Sequence, residues 1–150
     1  MKKFVFLLAS IIFLLNGCAI KSALKHDTLY EKTLKYTERS QILNSLETKA
    51  LIDAIYLNPL YQEKFKNPTF LIGVYNDFDN TLINSEFSLT LNNQAPVKIS
   101  SSIPSYIPYK YFPFYNKWMK YYIVTFKKSS KPYILEYKSK YFGQAKFIFQ

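Results

Sequence analysis

The spacing of apolar residues divides the chain into a first part with helical periodicity and a second part with strand periodicity. Over residues 28–58 apolar side chains recur at intervals of three and four, which is the pattern of an amphipathic helix. The members of this stripe are Leu34, Ile42, Leu43, Leu46, Ala50, Leu51, Ala54 and Ile55. Asn58-Pro59 ends the pattern, because a proline disfavours the helical conformation of the residue before it. The sequence therefore predicts one amphipathic helix over residues 28–58.

After Pro68 the period falls to two, and β-branched and aromatic residues become frequent. The predicted strands are residues 69–75, 86–91, 95–100, 121–126, 133–137 and 145–149. Turns are predicted at residues 77–80, 127–132 and 143, and a hairpin turn at residues 92–94. About six to seven short strands without intervening helices predict a mainly β domain over residues 69–150. We expect an antiparallel β-sandwich, immunoglobulin-like or transthyretin-like, covered on one face or edge by the N-terminal α-helix.

The first eighteen residues have the organisation of an export signal. Lys2 and Lys3 precede twelve largely apolar residues, and Gly17 stands directly before Cys18, the single cysteine. Twelve residues are too few to span a bilayer as a helix, which takes about 20. The segment resembles the lipobox of bacterial lipoproteins. That resemblance implies a cleaved signal peptide over residues 1–17, acylation of Cys18, and a lipidated tether over residues 18–27.

The lipobox resemblance also implies a location, because Ala19 follows the cysteine where an Asp would favour retention at the inner membrane. We expect lipid anchoring at the outer membrane on the periplasmic side, with acyl chains holding the chain at the bilayer. In the alternative interpretation, Cys18 ends an ordinary secretory signal and carries no lipid.

Charge is distributed unevenly along the chain. Residues 19–97 carry 8 basic and 9 acidic side chains, whereas residues 98–150 carry 10 basic side chains and one acid, Glu136. A net charge of +9 in the second part favours an acidic partner. We predict no nucleic-acid partner, because an envelope protein meets acidic polymers, anionic lipids and acidic proteins instead. We predict an envelope protein or an acidic polymer as the partner.

The segment 103–122 is the least regular part of the sequence. Its three prolines argue against a central strand, and its aromatic residues alternate with lysines. The residues selected as a ligand or partner surface are Tyr109, Lys110, Tyr111, Lys117, Trp118 and Lys120. Such aromatic and cationic groups bind sugars, acidic ligands or anionic lipid. In the competing interpretation, the segment crosses the sandwich and buries its aromatic residues.

Catalytic groups are sparse in this sequence. His26 is the single histidine and belongs to the predicted tether, where a catalytic base would not be rigidly held. Asp77 and Asp79 lack the glycine and glutamate of a calcium-binding EF-hand loop and have the composition of a turn. We therefore predict no enzyme activity, no cofactor and no metal site.

Together these features predict a lipid-anchored cell-envelope protein with a binding or assembly role, such as an accessory subunit of an envelope or secretion complex. Leu57-Asn58-Pro59 followed by residues 71–75, with the lipobox and the chain length, resembles small sandwich lipoproteins with transthyretin-like folds. That resemblance assigns no residue roles. The alternative is a periplasmic module that binds a glycan or an anionic ligand through residues 106–122.

Lipidation at Cys18 is directly testable. Palmitate labelling of cells that process lipoproteins should label the native chain, and Cys18→Ser should abolish the label. Mass spectrometry of the native protein should show an N-terminus at Cys18 with acyl chains. An intact Met1 start or an unmodified thiol would contradict the lipobox assignment.

Overall fold

One short helix and eight strands form the part of the chain that the computed structural model describes, residues 28–150. The elements are α1 (Thr28–Leu34), β1 (Thr37–Asn44), β2 (Glu47–Tyr56), β3 (Thr69–Asn76), β4 (Phe87–Leu91), β5 (Lys98–Ser100), β6 (Lys120–Thr125), β7 (Tyr133–Ser139) and β8 (Gly143–Phe149). The predicted signal peptide, Cys18, the predicted tether and His26 lie outside the described residues.

The strands form two antiparallel sheets. The five-stranded sheet has the order β1-β2-β3-β6-β5, and the three-stranded sheet has the order β4-β7-β8. The predicted fold class, a mainly β sandwich preceded by a helix, is confirmed. The finer assignment to an immunoglobulin-like or transthyretin-like topology stays a prediction.

The prediction of a helix over residues 28–58 is wrong beyond Leu34. The helix ends there, and the following residues form the β1–β2 hairpin with its tip at Ser45 and Leu46. The second half of β2 is buried on both faces, so its apolar residues run almost continuously. A buried strand of this kind cannot be distinguished from a buried helix by periodicity. The β-branched residues Thr48, Ile52 and Ile55 are the local signal that favoured a strand.

The main core lies between the two sheets. Along β2 and β3 every second side chain points inward, as the pleat of a strand requires. These residues include Ala50, Ile52, Ala54, Phe70, Ile72 and Val74. The three-stranded sheet contributes Leu89, Leu135, Tyr137 and Phe147. Because these side chains are at most 3% exposed, the apolar area that they remove from water is the main stabilising term.

A second apolar cluster covers the outer face of the five-stranded sheet. Ile55 and Leu71 point outward from β2 and β3 and are 2% or less exposed. The chain segments that cover them are residues 57–65 and 103–112, which contribute Leu57, Ile107 and Phe112. The second half of β2 and most of β3 are therefore buried on both faces, and residues 101–119 form a third layer over this part of the sheet.

The predicted hairpin from β4 into β5 is also wrong. Residues 92–94 do turn, but Asn92 bonds to β7: its side-chain oxygen accepts from the Ile134 N–H (2.7 Å), and its N–H donates to the Ile134 carbonyl (2.8 Å). This fixes β4 beside β7, and the chain crosses to the other sheet, where β5 pairs with β6. Turn composition predicted the reversal but carried no information about which strand becomes the neighbour.

Candidate functional site

A row of four residues crosses the outer face of the five-stranded sheet and positions the segment that the sequence selected. The strand registers place Arg39 beside Asp53, Asp53 beside Gly73, and Gly73 beside Tyr121. Arg39 Nη2 donates to Asp53 Oδ2 at 2.8 Å, and Nε donates to Oδ1 at 2.5 Å. The Asp53 side chain is 1% exposed, so this is a bidentate ion pair with a buried carboxylate.

The electrostatics of the pair are dominated by the burial of Asp53. Desolvation raises the pKa of the Asp53 carboxyl, and the hydrogen bonds and charge of Arg39 oppose that shift. The same hydrogen bonds raise the pKa of Arg39. Asp53 therefore depends on Arg39 for its negative charge, and its carboxylate is already engaged as an acceptor.

Gly73 lets the Tyr121 ring lie across β3. A Cβ atom at position 73 would stand 2.6 Å from Tyr121 Cε1, too close for any other residue without displacement of the ring. Burial raises the pKa of Tyr121 to about 12. Its hydroxyl oxygen accepts a hydrogen bond from the Asn116 N–H at 2.7 Å. The row therefore holds the segment that leads into β6.

Arg39 makes a second connection to the same segment. Its guanidinium carbon lies 4.4 Å from the centroid of the Phe114 ring, and Nη2 donates to the Phe114 carbonyl at 3.1 Å. One side chain thus neutralises a buried acid and fixes the backbone two residues before Asn116. The positions of Lys117 and Trp118 follow from these contacts.

The structure brings together three of the six predicted surface residues. Tyr109, Lys117 and Lys120 line a depression of about 320 Å³. The Tyr109 ring lies 5.3 Å from the Tyr121 ring, and the Tyr115 ring stacks on Tyr121 at 5.4 Å. Lys110 and Tyr111 are exposed on the short 3-10 helix Tyr109–Tyr111 and do not line this depression.

Lys120 also takes part in the turn after β3. Its Nζ donates to the Asp79 carbonyl at 3.2 Å. The Asp79 carboxylate accepts from the Thr81 hydroxyl (2.7 Å), the Thr81 N–H and the Asn84 amide, and these hydrogen bonds lower the pKa of Asp79. The prediction of a turn here is confirmed, because the acid bonds to its own loop.

Trp118 lies on the other side of Met119 from this depression and is 79% exposed. It lines a groove of about 420 Å³, a size typical of ligand pockets. The other lining residues are Thr48, Leu51, Tyr75, Asn116 and Met119. Leu51 and Met119 make the groove largely apolar, and the Asn116 amide, the Thr48 hydroxyl and the Tyr75 hydroxyl add polar groups.

The groove belongs to an end of the sandwich that carries several exposed apolar side chains. We call it the apolar end and define it by Leu46, Phe78, Trp118 and Tyr141, which are 99%, 58%, 79% and 63% exposed. They come from four separate turns: the β1–β2 tip, the β3–β4 loop, the segment before β6 and the β7–β8 tip.

Lys49 joins three of these turns. It is the extra residue of a β-bulge, because Ile42 pairs with Ala50 and Leu43 pairs with Thr48. Its Nζ lies 2.9 Å from both Glu47 Oε2 and Asp77 Oδ2, and 5.4 Å from the centroid of the Phe142 ring. The apolar tips are therefore carried on turns that are connected to each other.

Sequence reasoning missed Leu46, Phe78, Tyr75 and Tyr141 as members of a surface. Leu46 was assigned to the apolar stripe of the predicted helix, which is the opposite of its exposed position. Asn44-Ser45 between two runs of strand-forming residues is the turn signal that the sequence offers here. No sequence signal connects the four turns, because their proximity results from the sheet topology.

Comparison with protein-family models, with curated proteins and with solved structures finds no match for this chain. In residues 28–150, none of the helices is both long enough and apolar enough to cross a membrane. The interpretation of the site therefore depends on its own geometry.

Arg39→Met should destabilise the fold in a pH-dependent manner. The folded-state pKa of Asp53 is raised, so its contribution is fully present below the unfolded pKa of about 4 and is lost as the pH rises through the folded value. Without Arg39 that pKa rises further. We expect a loss of about 3 kcal/mol in the free energy of unfolding at neutral pH and a smaller loss near pH ~4.

Urea denaturation followed by circular dichroism at several pH values measures this effect. The control is Arg39→Met with Asp53→Leu, which removes the buried acid and with it the added pH dependence. An Arg39→Met variant whose stability follows the same pH profile as the parent would contradict the proposed role of Arg39.

Proposed function

We propose that this chain is a lipid-anchored, non-catalytic subunit of a bacterial cell envelope that binds a protein partner through its apolar end. The observation that carries the proposal is that the apolar end lies opposite the end of the domain at which the chain enters it, at α1. The helix α1 and the start of β1 lie at the opposite end, where the Tyr56 N–H donates to the Tyr36 carbonyl at 2.9 Å.

The two ends are separated by the length of the sandwich. β2 begins at the apolar end and runs for ten residues to Tyr56, a length of about 33 Å at the usual rise per strand residue. An acyl anchor at Cys18 joins the domain through the end that contains α1. The apolar end then faces away from the anchoring bilayer, toward other envelope components.

Exposed apolar side chains on connected turns favour a protein partner at this end. Clustered exposed apolar side chains, unlike scattered ones, mark interaction sites, and aromatic residues are enriched in interface cores. The charges nearby are largely balanced internally, since Lys49 pairs with Glu47 and Asp77. These features support an apolar protein surface as the partner of this end, in place of the acidic polymer expected from net charge.

The absence of a catalytic role is part of the proposal and is supported by how the acids are used. The buried Asp53 carboxylate is paired with Arg39, and the Asp79 carboxylate accepts hydrogen bonds from its own turn. Both carboxylates are therefore engaged as hydrogen-bond acceptors. Neither Asp53 nor Asp79 offers a free carboxylate with a raised pKa in one of the grooves described above.

Site-specific photocrosslinking in intact cells tests the protein-partner proposal. A photoreactive residue at Leu46 or Tyr141 should produce one defined crosslinked species above the monomer. The same residue at Gln62 or Asn67, which are exposed at the opposite end, should not produce it. Equal products from both ends, or monomer alone from Leu46 and Tyr141, would contradict the proposal.

A second function, glycan binding, is favoured by one observation, the groove beside Trp118. An indole face stacks on the apolar face of a sugar ring, and the Asn116 amide and the Thr48 hydroxyl are placed to bond sugar hydroxyls. Trp118→Ala should reduce retention on peptidoglycan at least several-fold without lowering the melting temperature, because the side chain is 79% exposed.

The matched control is Tyr111→Ala, which removes an equally solvent-exposed aromatic side chain of the same segment outside the groove (72% exposed). Pull-down on purified peptidoglycan compares the two variants with the parent. Equal retention of all three proteins would exclude the groove as a glycan site.

A further inference from the structure

The end of the sandwich opposite the apolar end carries a concentration of lysines. Eight exposed lysines belong to it within residues 28–150, and we call this surface the basic end. They are Lys32, Lys35, Lys64, Lys66, Lys98, Lys127, Lys128 and Lys131. The acids at this end are Glu31, Glu38 at the start of β1, and Glu63.

Strand register and contacts place these lysines at one end although they are distant in sequence. Lys98 pairs with Thr125 at the end of β6, and Lys127 and Lys128 follow directly. Lys131 lies 5.9 Å from the centroid of the Tyr56 ring at the end of β2. Lys32 and Lys64 line the same surface depression, between α1 and the segment after β2.

The lysines of the basic end are available for an external anion. The salt bridges among the described residues use Arg39, Lys49, Lys138 and Lys146 instead. Two of the eight lie over aromatic rings, Lys64 over Tyr106 and Lys131 over Tyr56, and such contacts leave the ammonium group exposed. Within residues 28–150 the basic end therefore presents a net positive charge, eight lysines against three acids.

We propose that the basic end docks on an anionic phospholipid surface. Lysines near such a surface bind lipid phosphates electrostatically, and each adds about a fivefold factor to affinity. Within residues 28–150 the surface spans several elements around one end of the molecule, and the depression lined by Lys32 and Lys64 is open, which suits a planar bilayer better than a small anion. Leu34 and Val97, which are 45% and 51% exposed, lie among the lysines and can enter the headgroup region.

The inference is compatible with the proposed function and deepens it. If Cys18 is acylated, the acyl chains and the lysines attach the same end of the domain to the membrane. The long axis of the sandwich is then perpendicular to the bilayer. Only this orientation rests on the proposed function. Electrostatic docking itself is measurable on a chain without lipid.

Vesicle binding of the unlipidated mature chain provides the test. The chain starts at position 18 with Cys18→Ser and is exported behind an ordinary secretory signal. Binding is measured to two kinds of vesicle, one of phosphatidylcholine alone and one of phosphatidylcholine mixed with phosphatidylglycerol. We expect co-sedimentation only with the anionic vesicles, and we expect raised salt to abolish it.

Charge-matched variants assign the binding to one end. Lys127→Gln/Lys128→Gln/Lys131→Gln should weaken binding to the anionic vesicles at least tenfold. The control Lys117→Gln/Lys138→Gln/Lys140→Gln removes the same charge near the apolar end and should change binding less than threefold. Lys35→Gln/Lys64→Gln/Lys66→Gln repeats the test on other elements of the basic end, and circular dichroism verifies that each variant is folded.

Equal binding by the basic-end and control variants, or binding that does not depend on phosphatidylglycerol, would overturn the inference. Free inorganic phosphate that competes at low concentration would indicate a small-anion site instead of a lipid surface. Photocrosslinking at Leu46 reports on the other end, so failure of the membrane inference and failure of the partner proposal give different results.

Discussion

The ion pair between Arg39 and Asp53 is the constraint on which the arrangement of the outer layer depends. A carboxylate that is 1% exposed is tolerated only with a bidentate partner, and that partner comes from the edge strand β1. The guanidinium is also bonded to the Phe114 carbonyl, so the pair connects the sheet to the third layer. Gly73 and Tyr121 extend the same row and hold Asn116. A polar interaction therefore positions the segment 114–119 where it leads into β6, while the apolar cores supply most of the stability.

The order of a long, proline-containing loop follows from this constraint. Residues 101–119 contain only a short 3-10 helix, yet Ile107 and Phe112 are buried against Ile55 and Leu71. The hydrogen bonds of the row attach the loop to the sheet at Phe114 and Asn116. Trp118 then projects from a segment that is fixed two residues earlier, at Asn116. An exposed indole on a fixed backbone loses little conformational freedom when it binds a partner, which lowers the cost of association.

The sequence predicted the fold class and most of the strands after residue 68, because those strands alternate or are bounded by turn residues. It failed at β1 and β2. In the second half of β2, burial on both faces removes the alternation that distinguishes a strand from a helix, whereas β1 is exposed at most of its positions. It also failed to pair β4 correctly, since the neighbour of a strand is decided by distant bonds such as those between Asn92 and Ile134. For the site, composition selected the segment 103–122 as a ligand or partner surface, and that role stays a prediction. In the structure Trp118 lines one groove, Tyr109, Lys117 and Lys120 line a separate depression, and Lys110 and Tyr111 line neither of the two. The sequence did not predict this separation, because it results from how the segment folds over the sheet.

The distribution of charge shows why a linear reading of the sequence misleads about partners. The net charge of +9 belongs to residues 98–150, but the lysines of that part lie at both ends of the sandwich. Lys120 bonds to the Asp79 turn, and Lys138 and Lys146 pair with Glu136. Lys98, Lys127, Lys128 and Lys131 instead join four lysines from α1 and the segment after β2. An antiparallel sandwich returns the chain to the same end after every second strand, so charges that are distant in sequence add up at one end. The proposed membrane contact therefore lies at the end where the chain enters the domain, and the proposed protein contact lies at the other end.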